Sequence, residues 1–218
     1  MGMLRYKLAI LLVLISITSY GQPMRNLLLK KASGALSTLA WSTTNHGSSQ
    51  SVGGTGNNTL TNATGTTNYG IGNVGHTGLG TYCFEVKMTT VGVLPIIGIA
   101  KFTSQSFNTY CGADANSVAW YQSAGVGYVI SGGSANSGYS VFANPVNHYI
   151  EVVLNLTAQT ITFYLDGVQS TGSTTFFTGF PTYTWYPAAG YASDVYVING
   201  TVSTMAHIPS GMTSANNW

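Results

Sequence analysis

Charge is what this chain has least of: Asp, Glu, Lys and Arg together make up 6% of 218 residues. Five of the seven basic residues (Arg5, Lys7, Arg25, Lys30 and Lys31) precede residue 32. Beyond that point Lys87 and Lys101 stand against Glu85, Asp114, Glu151, Asp166 and Asp194, so the body is slightly acidic although the whole sequence is formally +2. No basic patch is left to neutralise phosphates, which excludes nucleic acid as a partner. Cysteine is also scarce. Neither Cys83 nor Cys111 has a second ligand at close spacing, which argues against a thiolate metal site, and no metal or cofactor is expected. Long apolar runs are missing too. Leu8 to Ile17, an apolar run of 10 residues, is too short to span a bilayer comfortably. Apolar residues nowhere recur over a sustained window at i, i+3, i+4 and i+7, so amphipathic helices are not expected.

What the chain does have is Gly, Ser, Thr, Asn and Tyr, with a hydrophobic fraction of 44% rich in β-branched and aromatic residues. That mixture suits pleated, half-buried strands held soluble by hydroxyls and amides. The clearest segment is Ile150 to Gly167. Ile150, Val152 and Leu154 fall on one face of a first strand, with Glu151 and Asn155 on the other. Ile161, Phe163 and Leu165 alternate with Thr162 and Tyr164 in a second, which Asp166-Gly167 closes with a tight turn. Similar runs mark strands at Thr81–Thr89, Val93–Phe102, Ser117–Tyr121, Gly127–Ser131, Tyr186–Tyr191 and Val195–Ile198. Short strands are also expected near Thr59–Thr61 and Asn68–Ile71, within a Gly- and Thr-rich stretch. Gly98 inside its strand marks a bulge or a close backbone approach. Ser131–Ser140 reads as a flexible loop. Many short strands with turn signals between them indicate a β-sandwich or barrel.

The first residues have the three-part pattern of a secretory leader: basic Arg5 and Lys7, the apolar run, then Ser19-Tyr20-Gly21. Cleavage is expected before Gln22, giving a signal peptide over 1–21 and no membrane insertion afterwards. Residues 22–40 read as a linker or first edge strand and 41–218 as the domain. The competing readings are a buried element of the domain, or upstream sequence with Met24 as the true start.

Catalytic chemistry finds little support. Glycoside hydrolysis needs paired carboxyls, and Glu85 and Glu151 each stand alone in their strands. His46, His76, His148 and His207 have no acid or nucleophile at motif spacing. Gly70-Ile71-Gly72-Asn73-Val74-Gly75 matches G-x-G-x-x-G, but no helix can follow it, so these are loop glycines. Asp114 with Asn116 suggests either part of a calcium site or, more simply, an Asx turn. Asn57, Asn62, Asn155 and Asn199 sit in N-x-S/T sequons, which chance explains in so Asn- and Thr-rich a chain. Cys83 and Cys111 have two readings, a disulfide permitted by export or two buried free thiols.

Six segments, in order, resemble the SPRY (B30.2-like) family. Gly80 to Val86 is similar to its G-x-Y-Y-F/W-E-V strand, Ile97-Gly98-Ile99-Ala100 to its V-G-I/L-A strand, and Gly112 to Ser117 to its G-x-D-x-x-S loop. Ile150 to Gly167 resembles its signature hairpin, Trp185 to Ala188 its late Y-P-A strand, and Ile208 to Gly211 its closing P-P-x-G. The hairpin departs at Asn155 and at Gln159-Thr160. The resemblance implies an all-β, bent two-sheet antiparallel sandwich of concanavalin-like type. It also implies a generally non-catalytic binding module that uses loops at one end, in the manner of bacterial exported and phage structural proteins. Tyr110, Asp114, Tyr128 and Tyr139 are the candidate contacts for a protein or carbohydrate surface, and Trp185 is expected in the core. A self-assembling decoration protein of a virion or surface filament is the alternative, and a glycanase the third reading. Secretion or cell-surface display, or else a virion, is the matching location.

Overall fold

The computed structural model describes residues 38–63, 65–102, 107–170 and 182–218. The leader and most of the 22–40 segment lie outside the described residues. The compact unit runs Thr38–Trp218. It begins slightly before Trp41 because Leu39 and Ala40 are already buried.

Among the described residues, fourteen strands form two seven-stranded sheets. The first has the order β1 (Trp41–His46), β4 (Gly70–Gly72), β13 (Trp185–Ala189), β6 (Ile96–Lys101), β7 (Ser117–Ser123), β8 (Val126–Ser131), β9 (Ser134–Tyr139). The second has the order β12 (Val168–Gln169), β11 (Thr160–Leu165), β10 (Tyr149–Asn155), β5 (Thr81–Thr90), β14 (Val195–Asn199), β3 (Thr59–Asn62), β2 (Gln50–Gly53). Every pairing within the sheets is antiparallel. No α-helix occurs among the described residues, nor any helix long and apolar enough to cross a membrane. The all-β, two-sheet expectation holds.

The alternation read from the sequence becomes the core. Phe84, Val86 and Met88 of β5, Ile150, Val152 and Leu154 of β10, and Tyr196 and Ile198 of β14 cluster with Ile97, Ile99, Val118, Trp120, Val129 and Trp185 of the first sheet. Trp41, Trp120 and Trp185 are fully buried. Each large side chain removed from water contributes roughly 1.5–3 kcal/mol. One polar strut crosses this core. The Tyr196 hydroxyl on β14 donates to Asp194 Oδ2 at 2.6 Å and accepts from the Ile96 amide of β6 at 3.1 Å. The Gly92 amide donates to Asp194 Oδ1 at 2.8 Å. Burial pushes the Asp194 carboxyl up to about 6, while the bonds from Tyr196 and Gly92 pull the other way.

Asp166 and Gly167 both have positive φ (48° and 77°) and join β11 to β12 through a two-residue turn, as expected from the Asp-Gly signal. Gly98 marks a close approach: a methyl group there would stand 1.9 Å from the Val118 carbonyl oxygen. The G-x-G-x-x-G match begins as strand β4, with no helix after it.

One expectation is corrected. Ser131–Ser140 is not a loop: Gly132-Gly133 (φ 58° and 75°) form a tight turn into edge strand β9. Both faces of that strand carry small, exposed residues, so it shows no apolar alternation to read. The turn is held by Gly132 and Gly133 amides donating to the carbonyls of Asp114 and Gly112. Of the two readings of Cys83 and Cys111, the structure has the buried free thiols and no disulfide. Both thiols are free and buried in separate clusters, Cys83 with Val153, Val202 and Met205, Cys111 with Ile96, Ala119 and Ile130. Burial pushes both far above the ordinary thiol range.

Two measurements probe this packing. Gly98→Ala is expected to lower stability by about 1–3 kcal/mol or more, read from urea unfolding. Because the Asp194 carboxyl sits higher in the folded chain than in the unfolded one, its contribution is present below about pH 4 and is lost as pH rises through about 6. Asp194→Asn is therefore expected to make the decline in unfolding midpoint across that window shallower.

Candidate functional site

The outer face of the first sheet carries a cleft of about 210 Å³, lined by Leu94, Ile96, Tyr110, Tyr121, Ile130 and Tyr191. Its floor is set by strand parity. The turn Ala124-Gly125 (φ 49° and 75°) pairs Ser123 with Val126 and so brings Tyr121 opposite Tyr128. Their rings stack with centroids 4.8 Å apart and an interplanar angle of 11°. Trp120 and Val129, the next residues along, turn inward to the core. Ile96 and Ile130 form the buried apolar base, and Tyr110 and Tyr191 meet at 6.2 Å on the wall. Burial, then the nearby Tyr128 and Tyr110, raises the Tyr121 hydroxyl above the ordinary tyrosine range.

Of the contacts expected from the sequence, Tyr110 lines this cleft and Tyr128 stacks on its Tyr121. Asp114 is occupied with the loop beside it. Its Oδ1 accepts from the Asn116 amide at 2.9 Å and the Ser117 hydroxyl at 3.1 Å, and its Oδ2 from the Asn116 side chain at 3.2 Å. That is the Asx-type turn. Tyr139 ends β9 packed against the main core, on the opposite side of the sheet from the cleft cluster. Trp185 is fully buried in the core, as expected. Tyr121 and Tyr191 were not picked out from sequence. Recognising Ala124-Gly125 as a two-residue turn would have paired Tyr121 with Tyr128.

The second sheet presents a different outer face. A more polar hollow of about 490 Å³ lies over it, with Lys87, Tyr149, Val197 and Asn199 among its lining. Beside it the carboxylates expected to stand alone are cross-strand neighbours: Glu85 of β5 lies opposite Glu151 of β10. The segment after β14 covers them. Glu85 accepts from the backbone amides of Ala206 and His207 at 3.1 and 3.0 Å. Glu151 Oε2 accepts from the Gly167 amide at 2.9 Å. Burial raises both carboxyls, Glu151 to about 8, against the bond from Gly167. Asp166 accepts from the Tyr149 amide at 2.9 Å and pairs with His148 Nδ1 at 2.5 Å. Glu85 is 4% exposed and Glu151 0%, so a sugar ring cannot come between these carboxyls as glycoside hydrolysis requires.

No protein-family model matches the sequence, and no curated protein does. Solved structures do resemble the fold. The PSpry domain of TRIM65 superposes with a TM-score of 0.60 at 11% identity, over 74% of this chain and 91% of that one. The SPRY domain of human HERC1 gives 0.56 at 16% identity, over 80% and 100%. Stonustoxin gives 0.54 at 17% identity over 74% of this chain, a match spanning 26% of its own. The chain therefore has a SPRY-like fold.

Placement makes a stability contrast. Tyr139→Ala, which removes core packing, is expected to cost on the order of 1–3 kcal/mol, and Tyr128→Ala, at the cleft, distinctly less. Urea midpoints of the two variants check this.

Proposed function

We propose that this chain is a non-catalytic binding module that takes a protein surface into the aromatic cleft of the first sheet. The observation that carries the reading is the stacked Tyr121–Tyr128 pair beside an apolar floor of Ile96 and Ile130. Tyrosines supply large contact area with few rotors, and their hydroxyls add hydrogen bonds at the rim. A pocket of about 210 Å³ suits one or two apolar or aromatic side chains as anchors, the usual centre of a protein interface. The SPRY-like fold supports a protein partner over a glycan. The site differs from the sequence expectation in position: strands of the sheet face build its floor, and loops at the end only wall it.

Export is part of the proposal and rests on the leader pattern of residues 1–21. A body with so few charges and so many Thr and Asn side chains suits life outside the cell. Assembly into a virion or filament is the competing outcome.

Peptide-display selection on the full chain, followed by affinity measurement, tests the reading. Tyr121→Ala and Tyr128→Ala are each expected to weaken the selected binders at least ~10-fold, with the fold intact by circular dichroism. Unchanged affinity in both variants would refute the cleft. Binding confined to a glycan array would replace the protein partner with a carbohydrate. Intact mass and size-exclusion chromatography of the native product are expected to show a monomer beginning at Gln22. An uncut chain in large particles would favour assembly.

A further inference from the structure

This chain has five carboxylates in its whole length, and three of them meet at one place. Glu85 and Glu151 face each other across β5 and β10. Asp166 reaches in from the β11–β12 turn, and His207 comes down from the segment that covers the sheet. The ligating atoms of Glu85, Glu151 and His207 all lie within 4.8 Å of one another.

Two atoms in this cluster have no hydrogen-bond partner among the described residues. Glu151 is fully buried, and its Oε1 accepts no hydrogen bond. The buried Nδ1 of His207 makes none either. They face each other at 3.5 Å. That is long for an N–H···O bond, which favours about 2.7–3.2 Å. It is close to the edge of a tetrahedron drawn around an ion with bonds of 2.0–2.1 Å, about 3.4 Å. Asp166 Oδ1 lies 3.8 Å from the same Nδ1. The ion pairs of this cluster among the described residues are with imidazoles, while the ammonium of the neighbouring Lys87 lies over the Tyr149 ring. Two ionised carboxylates this close in a buried ladder repel one another, and either a proton or a cation between them relieves this.

We infer that Glu85, Glu151 and His207 form a binding site for a first-row divalent cation such as zinc, with Asp166 in reach as a fourth donor. Imidazole nitrogen with carboxylate oxygen is the donor set of zinc and its neighbours, while calcium takes oxygen alone. The outer partners are already in place to orient the donors. Gly167 holds Glu151 Oε2, the Ala206 and His207 amides hold Glu85, and His148 holds Asp166. His207 is 36% exposed at its side chain, which gives the ion a way in. The ion would join β5, β10, the β11–β12 turn and the covering segment, and so staple that cover to the sheet. These residues are far apart in the sequence, so no ligand spacing announces them.

The untagged full chain, stripped with EDTA, should be titrated with Zn²⁺ by calorimetry and with Co²⁺ by visible absorption. One ion per chain is expected, with cobalt bands of a nitrogen- and oxygen-liganded site and a thermal midpoint that rises with added zinc. Glu151→Gln and His207→Gln are each expected to weaken zinc binding at least ~10-fold. His46→Gln, away from the cluster, should leave it unchanged. If Glu151→Gln does not fold, the half-exposed His207→Gln carries the comparison. Stoichiometric Zn²⁺ or Co²⁺ binding that is absent, or that survives His207→Gln in a folded chain, overturns the site.

Discussion

Seven consecutive residue pairs, from Tyr149–Lys87 to Asn155–Thr81, lock β10 against β5 in the middle of the second sheet. That register decides both faces at once. Inward it stacks Phe84 against Val152 and Val86 against Ile150, which seat the core beneath the tryptophans of the first sheet. Outward it sets Glu85 against Glu151 and Cys83 against Val153. A slip of β10 by one residue would turn Glu151 into the core and Ile150, Val152 and Leu154 outward. The covering segment depends on the same register, since Glu85 holds its backbone at Ala206 and His207, and Val202 and Met205 pack on Cys83 and Val153. The segment then returns its last residue to the core, where Trp218 meets Phe84 edge-on at 4.9 Å and donates to the Val74 carbonyl at 2.8 Å.

The two outer faces thus have unlike fates. On the second sheet a backbone segment covers a charged pair and leaves a polar hollow beside it. On the first, the loop carrying Tyr110 and Cys111 covers part of the sheet and stops at the stacked tyrosines. Tyr121 and Tyr128 remain partly open there. With few charges elsewhere, recognition as proposed at this face would rest on shape, ring contact and hydroxyl bonds, with little long-range steering.

Much of the fold was legible because it depends on local alternation. Ile150 to Gly167 declared its strands and its turn, since a buried face imposes period two and the turn needs positive φ. What was not legible depends on pairing between distant strands. Glu85 and Glu151 each look solitary in their own strand, and only the β5–β10 register makes them neighbours. Likewise, nothing in the spacing of Cys83 and Cys111 says that they lie in separate clusters. β9 was missed for a different reason. Its residues before Tyr139 are all exposed, so its backbone hydrogen bonds hold it without leaving a side-chain pattern. At the cleft, Tyr110 and Tyr128 could be chosen by residue type, but Tyr139 resembled them in composition while packing inward. Side-chain direction, which residue type alone does not reveal, separated them.

The central claim is that recognition belongs to the aromatic face of the first sheet. Hydrogen–deuterium exchange on the full chain, with and without a saturating selected binder, tests it most directly. The account predicts new protection in β6, β7 and β8 and in the loops carrying Tyr110 and Tyr191. Protection gathered at Tyr149, Val197 and Asn199 on the second sheet, with β7 and β8 unchanged, would contradict it.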